Sequence, residues 1–448
     1  MRPVRLSEFR RGLLTTSFAD VVARLLGAAT VLLLVRRLKV GDYAFMTLFL
    51  ALGQFLASAA GSGMRMHYLR TQAEIVSRGP GSTAVPGLEF GTVVRRQIGT
   101  TLVVAALGVM VSLALDLRAA GAALATICAL AGLYAVGHSG FELVIMHHQA
   151  CKRFSAAGVV SVTRNGVILA LSLLPVFITA AAGGSTVAGL YALGLIVGAA
   201  VLLRPVLRAQ KRLRSARAAH QAADGSIGWL TAYFVAAALF AYAGVFVVGS
   251  LLSRYDVAAF GSAQRYFAIA LGAFPALLAV LRVRSSQVDV IESAGAQRRI
   301  LTRWFRLAPI PAGVVLGLAA WFADDLVRAA DGGRYPGSAG VLRLLLVLAF
   351  LTYLTAPVAA VLMAQCRYRP LALSMGVAAV ANVGLGMASA AAWGAAGVAG
   401  ATTVVFAGLC LFQAWLVFTP QVSREPAGVR GQSVRSGIYV PDGEGVSG

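Results

Sequence analysis

Through most of this chain apolar residues run on for twenty positions or more. They show neither the alternation of a half-buried strand nor the narrow stripe of a surface helix. A helix needs about 20 apolar residues to cross the hydrocarbon of a bilayer. On that criterion the pattern predicts twelve spans, at 12–35, 43–64, 98–115, 119–146, 156–180, 185–203, 229–252, 257–281, 305–323, 338–364, 371–392 and 394–418. Short alternating segments, the mark of a membrane β-barrel, do not occur. The expected fold class is an all-α polytopic membrane protein. The tail from Pro420, rich in Gly, Ser and Arg, reads as disordered.

Composition agrees. Of 448 residues 58% are hydrophobic and 12% charged, against about 25% charged in ordinary soluble domains. That excludes a soluble enzyme, a disordered chain and a disulfide scaffold. Four cysteines without a C-x-x-C pair support neither a zinc site nor a disulfide framework. No metal or cofactor is expected. No H-E-x-x-H, G-x-S-x-G or phosphate-cradling lysine loop points to catalysis.

The charge is lopsided: 39 Lys+Arg against 17 Asp+Glu, a formal net of +22. In a soluble chain this would suggest nucleic acid; between membrane spans it suggests cytoplasmic loops instead. The N-terminus, the even-numbered connections and the tail hold 28 of these Lys/Arg, the odd-numbered connections 7, and the spans the remaining 4. The bias predicts a multi-pass protein of the cytoplasmic membrane with both termini cytoplasmic, residues 12–35 being a retained span rather than a cleaved signal. The basic stretches 204–217 and 282–306 are expected either as surface helices on anionic phospholipid, at about 1 kcal/mol per charge, or as retention signals only. No nucleic-acid partner is expected.

The chain also repeats itself at an offset near 216. Cys151 and Cys366 follow similar runs, Asn165 and Asn382 each precede small and aliphatic residues, Arg65 and Arg282 open long basic loops, and Asp42 and Asp256 sit in matching short turns. Six spans per half is an even number, so the halves run the same way through the membrane. The predicted architecture is two parallel six-helix lobes around a central cleft: an N-lobe at 1–203, a basic linker at 204–228, a C-lobe at 229–419 and the tail at 420–448. Two parallel bundles that rock against each other form a transporter geometry.

Charges within spans are functional suspects, because each costs at least about 2.5–3.5 kcal/mol at the bilayer centre. Arg24 lies roughly 18 Å into the first span and Arg265 roughly 12 Å into the eighth. Arg164 is about as deep as Arg265. Arg343 is near enough to a helix end to snorkel and reads as structural. Asp20 stands four residues before Arg24 on the same helical face, where the pair could be inert. Glu142, with His138 at i−4, is either a proton- or sodium-coupling carboxylate or a helix-end residue within reach of His138 and Lys152. His147 and His148 read as interfacial. Asn165, Asn382, Gln54 and Gln264 are expected as interhelical hydrogen-bond glue.

Several runs carry a family resemblance. VRRLKVGDYAFMTLFLALGQFLASAAGSGMR resembles the opening hairpin of the Wzx-like polysaccharide flippases of the multidrug/oligosaccharidyl-lipid/polysaccharide (MOP) exporter superfamily, with Ala44 where a glycine is common. LLSRYDVAAFGSAQRYFAIALGAFPALLAVLR, with Arg265 and Pro275, is similar to their seventh and eighth spans. DGGRYPGSAGVLRLL and ANVGLGMASAAAWGAAGVAGATTV resemble the start of the tenth span and the closing hairpin. The resemblance implies a MATE-like fold and export of a polyprenyl-pyrophosphate-linked oligosaccharide for cell-surface polysaccharide, with other polysaccharide-assembly proteins as partners. It also places spans one and eight along the cleft, which with their depth makes Arg24 and Arg265 the candidate anion-binding residues; in-span charge adds Arg164 to them and leaves Asp20 and Glu142 as coupling or structural ion-pair residues. The acidic residue that relatives often carry in the seventh span is missing.

Two rival classes are a membrane polymerase or glycosyltransferase on the same lipid carrier, and a multidrug antiporter of the same superfamily. The first calls for a large external loop, whereas the longest here is 324–337. The second suits a cavity with excess acid, the reverse of the in-span charge.

Overall fold

The computed structural model describes residues 6–66, 68–69, 72, 90–116, 123–151, 153–178, 183–213, 225–273, 301–307, 309–365 and 367–419. Among them there is no strand. The helices are α1 (Leu6–Arg37), α2 (Val40–Ala59), α3 (Phe90–Asp116), α4 (Ala123–Ala150), α5 (Phe154–Ile178), α6 (Gly184–Leu213), α7 (Gly225–Leu251), α8 (Arg254–Ala270), α9 (Pro309–Trp321), α10 (Ala323–Asp331), α11 (Ser338–Ala364) and α12 (Tyr368–Phe418). Every predicted span has a helix in its place. Eight helices among the described residues are long and apolar enough to cross a membrane. One of these, the 51-residue α12, is two spans joined at Gly394 (φ 59°, ψ −145°), a backbone conformation that glycine tolerates and a Cβ resists.

Two details depart from the expected layout, and the end of the eighth span lies outside the described residues. The sixth span does not stop at 203: α6 carries Pro205 and continues through Arg204, Arg208, Lys211 and Arg212 to Leu213. The first part of the expected basic surface helix is therefore an extension of a span, and its end at 214–217 lies outside the described residues, as do 282–300, Pro275, Lys152, Cys366 and the tail. The eighth span is described only as far as a 3-10 turn at Leu271–Ala273. The 324–337 connection is not an open loop, because α10 occupies its first half and ends in a left-handed Gly332.

The repeat is visible in the helix starts. Val40 and Arg254, Ala123 and Ser338, and Phe154 and Tyr368 open corresponding helices 214, 215 and 214 residues apart. The repeated aspartates have diverged in use. Asp256 closes a capping box with Ser253 at the start of α8, satisfying end donors of that helix. Asp42 instead accepts the Gly184 backbone N–H at 2.7 Å, tying the α1–α2 turn to the start of α6.

α1 to α6 pack as one bundle and α7 to α12 as another, with α2 lying against α7 and α8 where the two meet. The approach is close at Gly63, just beyond α2, where a Cβ would stand 2.7 Å from the Thr231 backbone. On the face that carries the 36–42 and 332–337 turns, two arginines fasten the bundles together. Arg36 donates to the carbonyls of Ala330 (2.9 Å) and Ala329 (2.5 Å) at the end of α10. Arg334 donates to those of Val35 and Arg36 (both 2.9 Å) at the end of α1. Each arginine thus caps carbonyls that the other bundle's helix leaves unpaired, where the helix dipole favours a cation.

Candidate functional site

The central cleft holds two chambers, of about 160 and 320 Å³, that share Gly27, Gln54, Arg164, Asn165 and Arg265 in their walls. The first reaches toward Tyr43 and Thr47 at the latched face, and the second runs past Ala23 and Arg24 to Ala268 and Ile269. Tyr43, on the first chamber's wall, stacks on Tyr335 of the other bundle (5.9 Å between centroids). Both tyrosines are buried. The cavity is therefore closed beneath the arginine latch.

All three sequence-selected arginines reach this cavity, but they are not equivalent. The Arg24 Nε is buried with no hydrogen-bond partner among the described residues. The Asp20 side chain, its expected neutraliser, lies outside the described residues. Arg265 projects from α8 with no carboxylate within ion-pair distance among the described residues, and its charge acts on the Tyr43, Tyr134, Tyr191 and Tyr242 hydroxyls. Arg164 differs: its Nη1 donates to Glu142 Oε1 in a close ion pair between α5 and α4. The expected reach from Glu142 to His138 is present at 3.8 Å.

The amides divide by position. Asn382 is buried glue, its Nδ2 donating to the Phe240 carbonyl (3.1 Å) and its Oδ1 accepting from Thr402 Oγ1 (2.9 Å). Gln264 Nε2 donates to the Ala241 carbonyl (3.4 Å). Gln54 accepts from Tyr242 Oη across the two bundles (2.9 Å) and also lines the cavity. Asn165 is not interhelical glue in its Nδ2, which donates to Ser161 O in its own helix (3.0 Å). Its Oδ1 faces Gly27 of α1, where a Cβ would be 3.5 Å away. Arg343 pairs with Asp324 and donates to Ala320 O at a half-exposed site, as its structural reading expects. His147 is held by Tyr68 Oη at Nδ1 (2.9 Å) and packs on Phe90.

Sequence reading missed Tyr134, which stacks on His138 (5.4 Å, 18°) and lines the same cavity. The i, i+4 spacing of two cavity-facing rings was available as a signal. It also counted Arg65 as a loop charge, whereas this half-buried arginine donates to Ser62 Oγ (2.7 Å) and acts electrostatically on Glu142 and Arg164. Among the described residues that line the cleft, three are arginines and none is a carboxylate, which makes the local potential positive.

No protein-family model matches the chain, and no curated protein does. Solved structures do. The fold is similar to that of the lipid II flippase MurJ in an inward closed conformation (TM-score 0.62, 12% identity, covering 91% of this chain and 88% of that one). It is similar to the MATE multidrug transporter DinF-BH (0.59, 15%, 93% and 96%). It is also similar to a MOP superfamily transporter from Pyrococcus furiosus described as having a binding pocket of reverse polarity (0.58, 12%, 91% and 95%). The chain has the all-helical fold of the MOP superfamily transporters.

Proposed function

We propose that this chain is a flippase that moves a polyprenyl-pyrophosphate-linked oligosaccharide across the cytoplasmic membrane by alternating access, for assembly of a cell-surface polysaccharide. One observation carries the reading: Arg24 and Arg265 line the same cavity between the bundles, and the Arg24 Nε is buried with no hydrogen-bond partner among the described residues. A pyrophosphate cannot cross hydrocarbon without fixed cations, and guanidinium stays charged when desolvated and binds phosphate through a planar fork. The likeness of fold to a lipid II flippase supports the same direction.

In this reading both termini face the cytoplasm and the latched face is the outer one. The lobes divide in the 204–228 stretch, whose basic residues rest on anionic phospholipid, and other polysaccharide-assembly proteins receive the product. The chambers, about 160 and 320 Å³, compare with about 300–1,000 Å³ for small-ligand pockets. They suit the phosphates but not the sugars, so the lobes must part to admit and release the glycan. A multidrug antiporter would need acid in the cavity to draw cationic drugs, and Glu142 is already held by Arg164. A polymerase on the same carrier would need an external loop of reactive side chains, where this chain has the short α10.

Substitution tests the arginines. Under this reading Arg24→Ala and Arg265→Ala abolish export at normal protein abundance, and Arg24→Lys impairs it by losing the fork. If both arginines only stabilise the bundle, Arg24→Ala lowers abundance through an unpaired Asp20. In that case the double change with Asp20→Ala restores both abundance and export. Normal transport by the double variant overturns the clamp.

A further inference from the structure

Arg164 stands on the wall of a cavity proposed to bind an anion and holds Glu142 behind it, and that placement has a chemical consequence. The two cannot be independent: the guanidinium that would face a phosphate oxygen already donates to Glu142 Oε1. Glu142 keeps 35% of its side-chain surface exposed, so it is not sealed in the packing between α4 and α5. The charged and titratable groups facing it are few. Arg164 comes from α5, Arg65 from the turn after α2, and His138 from its own helix, with Nε2 3.8 Å away. Tyr134 adds a hydroxyl on the far side of that imidazole, 3.4 Å from Nδ1. α3 and α6 also pack on α4 but bring no charged group to Glu142 among the described residues.

We propose that Glu142 is a substrate-linked proton site: an anion binding Arg164 displaces the Glu142 carboxylate, which then takes one proton from solvent and returns it when the anion leaves. This rests on the reading of the cavity as an anion site. The step balances simply. The Arg164 N–H donors turn from a carboxylate oxygen to a phosphate oxygen, one O–H bond forms on Glu142, and no other covalent bond changes. The physical reason is local charge. A carboxylate stripped of its cation and left beside new negative charge favours its neutral form. Binding and proton uptake are then linked, and each strengthens the other. The competing outcome is a swing of Glu142 to Arg65, which would keep it ionised and take up nothing.

The test titrates the purified full chain in nanodiscs with farnesyl pyrophosphate at about pH 7, by calorimetry in two non-phosphate buffers of different ionisation enthalpy. The difference in heat gives the protons exchanged per site. Wild type is expected to take up about one proton more than Glu142→Gln. The variant is expected to bind more tightly, because no carboxylate competes for Arg164. If that variant fails to fold, His138→Gln decides: proton uptake that persists without the imidazole belongs to Glu142, and uptake lost with it overturns the assignment. The pyrophosphate's own ionisation can only release protons when it meets arginine, so net uptake must come from the protein. Equal proton counts in the two proteins, or net release by wild type alone, overturn this inference while leaving the anion site standing. Absence of binding to wild type overturns the anion-site reading and this inference with it.

Discussion

Replacing Arg334 by alanine removes two hydrogen bonds from a guanidinium to the last carbonyls of α1, both 2.9 Å long. The perturbation is confined to the seam between the bundles, since Val35 and Arg36 belong to one and Arg334 to the other. Hydrogen bonds to charged groups contribute about 1.5–3 kcal/mol each when buried. Here one is half-buried and one exposed, so solvent screening brings the pair down to about 1–3 kcal/mol in total. The contact exists only while this face is closed, so its loss shifts the closed–open equilibrium by the same amount, or about 5–150-fold. The assay places a single cysteine at Thr47, which lies in the cavity beneath the Tyr43–Tyr335 stack, in a background lacking the four native cysteines. Its labelling rate with a polar thiol reagent on purified protein is expected to rise by that factor in Arg334→Ala, and further when Arg36→Ala is added. An unchanged rate in the double variant, with Thr47→Cys still reactive after unfolding, refutes the latch as what holds the face shut.

Asp331 sits in the same seam. Burial raises its carboxyl above the ordinary Asp value, against the pull of hydrogen bonds from the Gly333 and Arg334 backbones. A raised acid is bound to its proton more tightly in the closed form, so closure should be most stable at low pH and weaken as pH rises through the raised range. Fluorescence quenching across the seam should follow that dependence, and Asp331→Asn should remove it. Asn382→Ala leaves the Phe240 carbonyl and Thr402 hydroxyl without their amide partner in a buried site. It should cost about 1–3 kcal/mol of stability, measured as a lower melting temperature with anion binding intact. Gly63→Ala puts a methyl 2.7 Å from the Thr231 backbone and should cost about 1–3 kcal/mol by overpacking. Gly99→Ala, with open space around it, should raise or hold the melting temperature.

The spans were legible because a bilayer demands an unbroken apolar run whatever the tertiary contacts. The depth of Arg24 and Arg265 followed from counting along those runs, and both line the central cavity. Partners were less legible. Glu142 and Arg164 are 22 residues apart on different helices, and spacing along one helix reveals only i, i+3 and i, i+4 neighbours. Arg36 and Arg334 looked like ordinary turn charges because the carbonyls they cap are about 300 residues away in sequence. The repeat predicted matching helix starts but not matching roles. Asp42 and Asp256 occupy equivalent turns, yet one closes a cap and the other ties two helices together. The sixth helix runs past 203 to Leu213 for a local reason: a helix leaving the membrane can carry basic residues on its extension.

The most direct test of the central claim is lipid analysis after deletion of the gene. The account predicts that a polyprenyl-pyrophosphate-linked oligosaccharide accumulates on the cytoplasmic leaflet, and that the wild-type gene, but not Arg265→Ala expressed at equal abundance, clears it. An unchanged pool of lipid-linked intermediates, together with new sensitivity to cationic drugs, would contradict it.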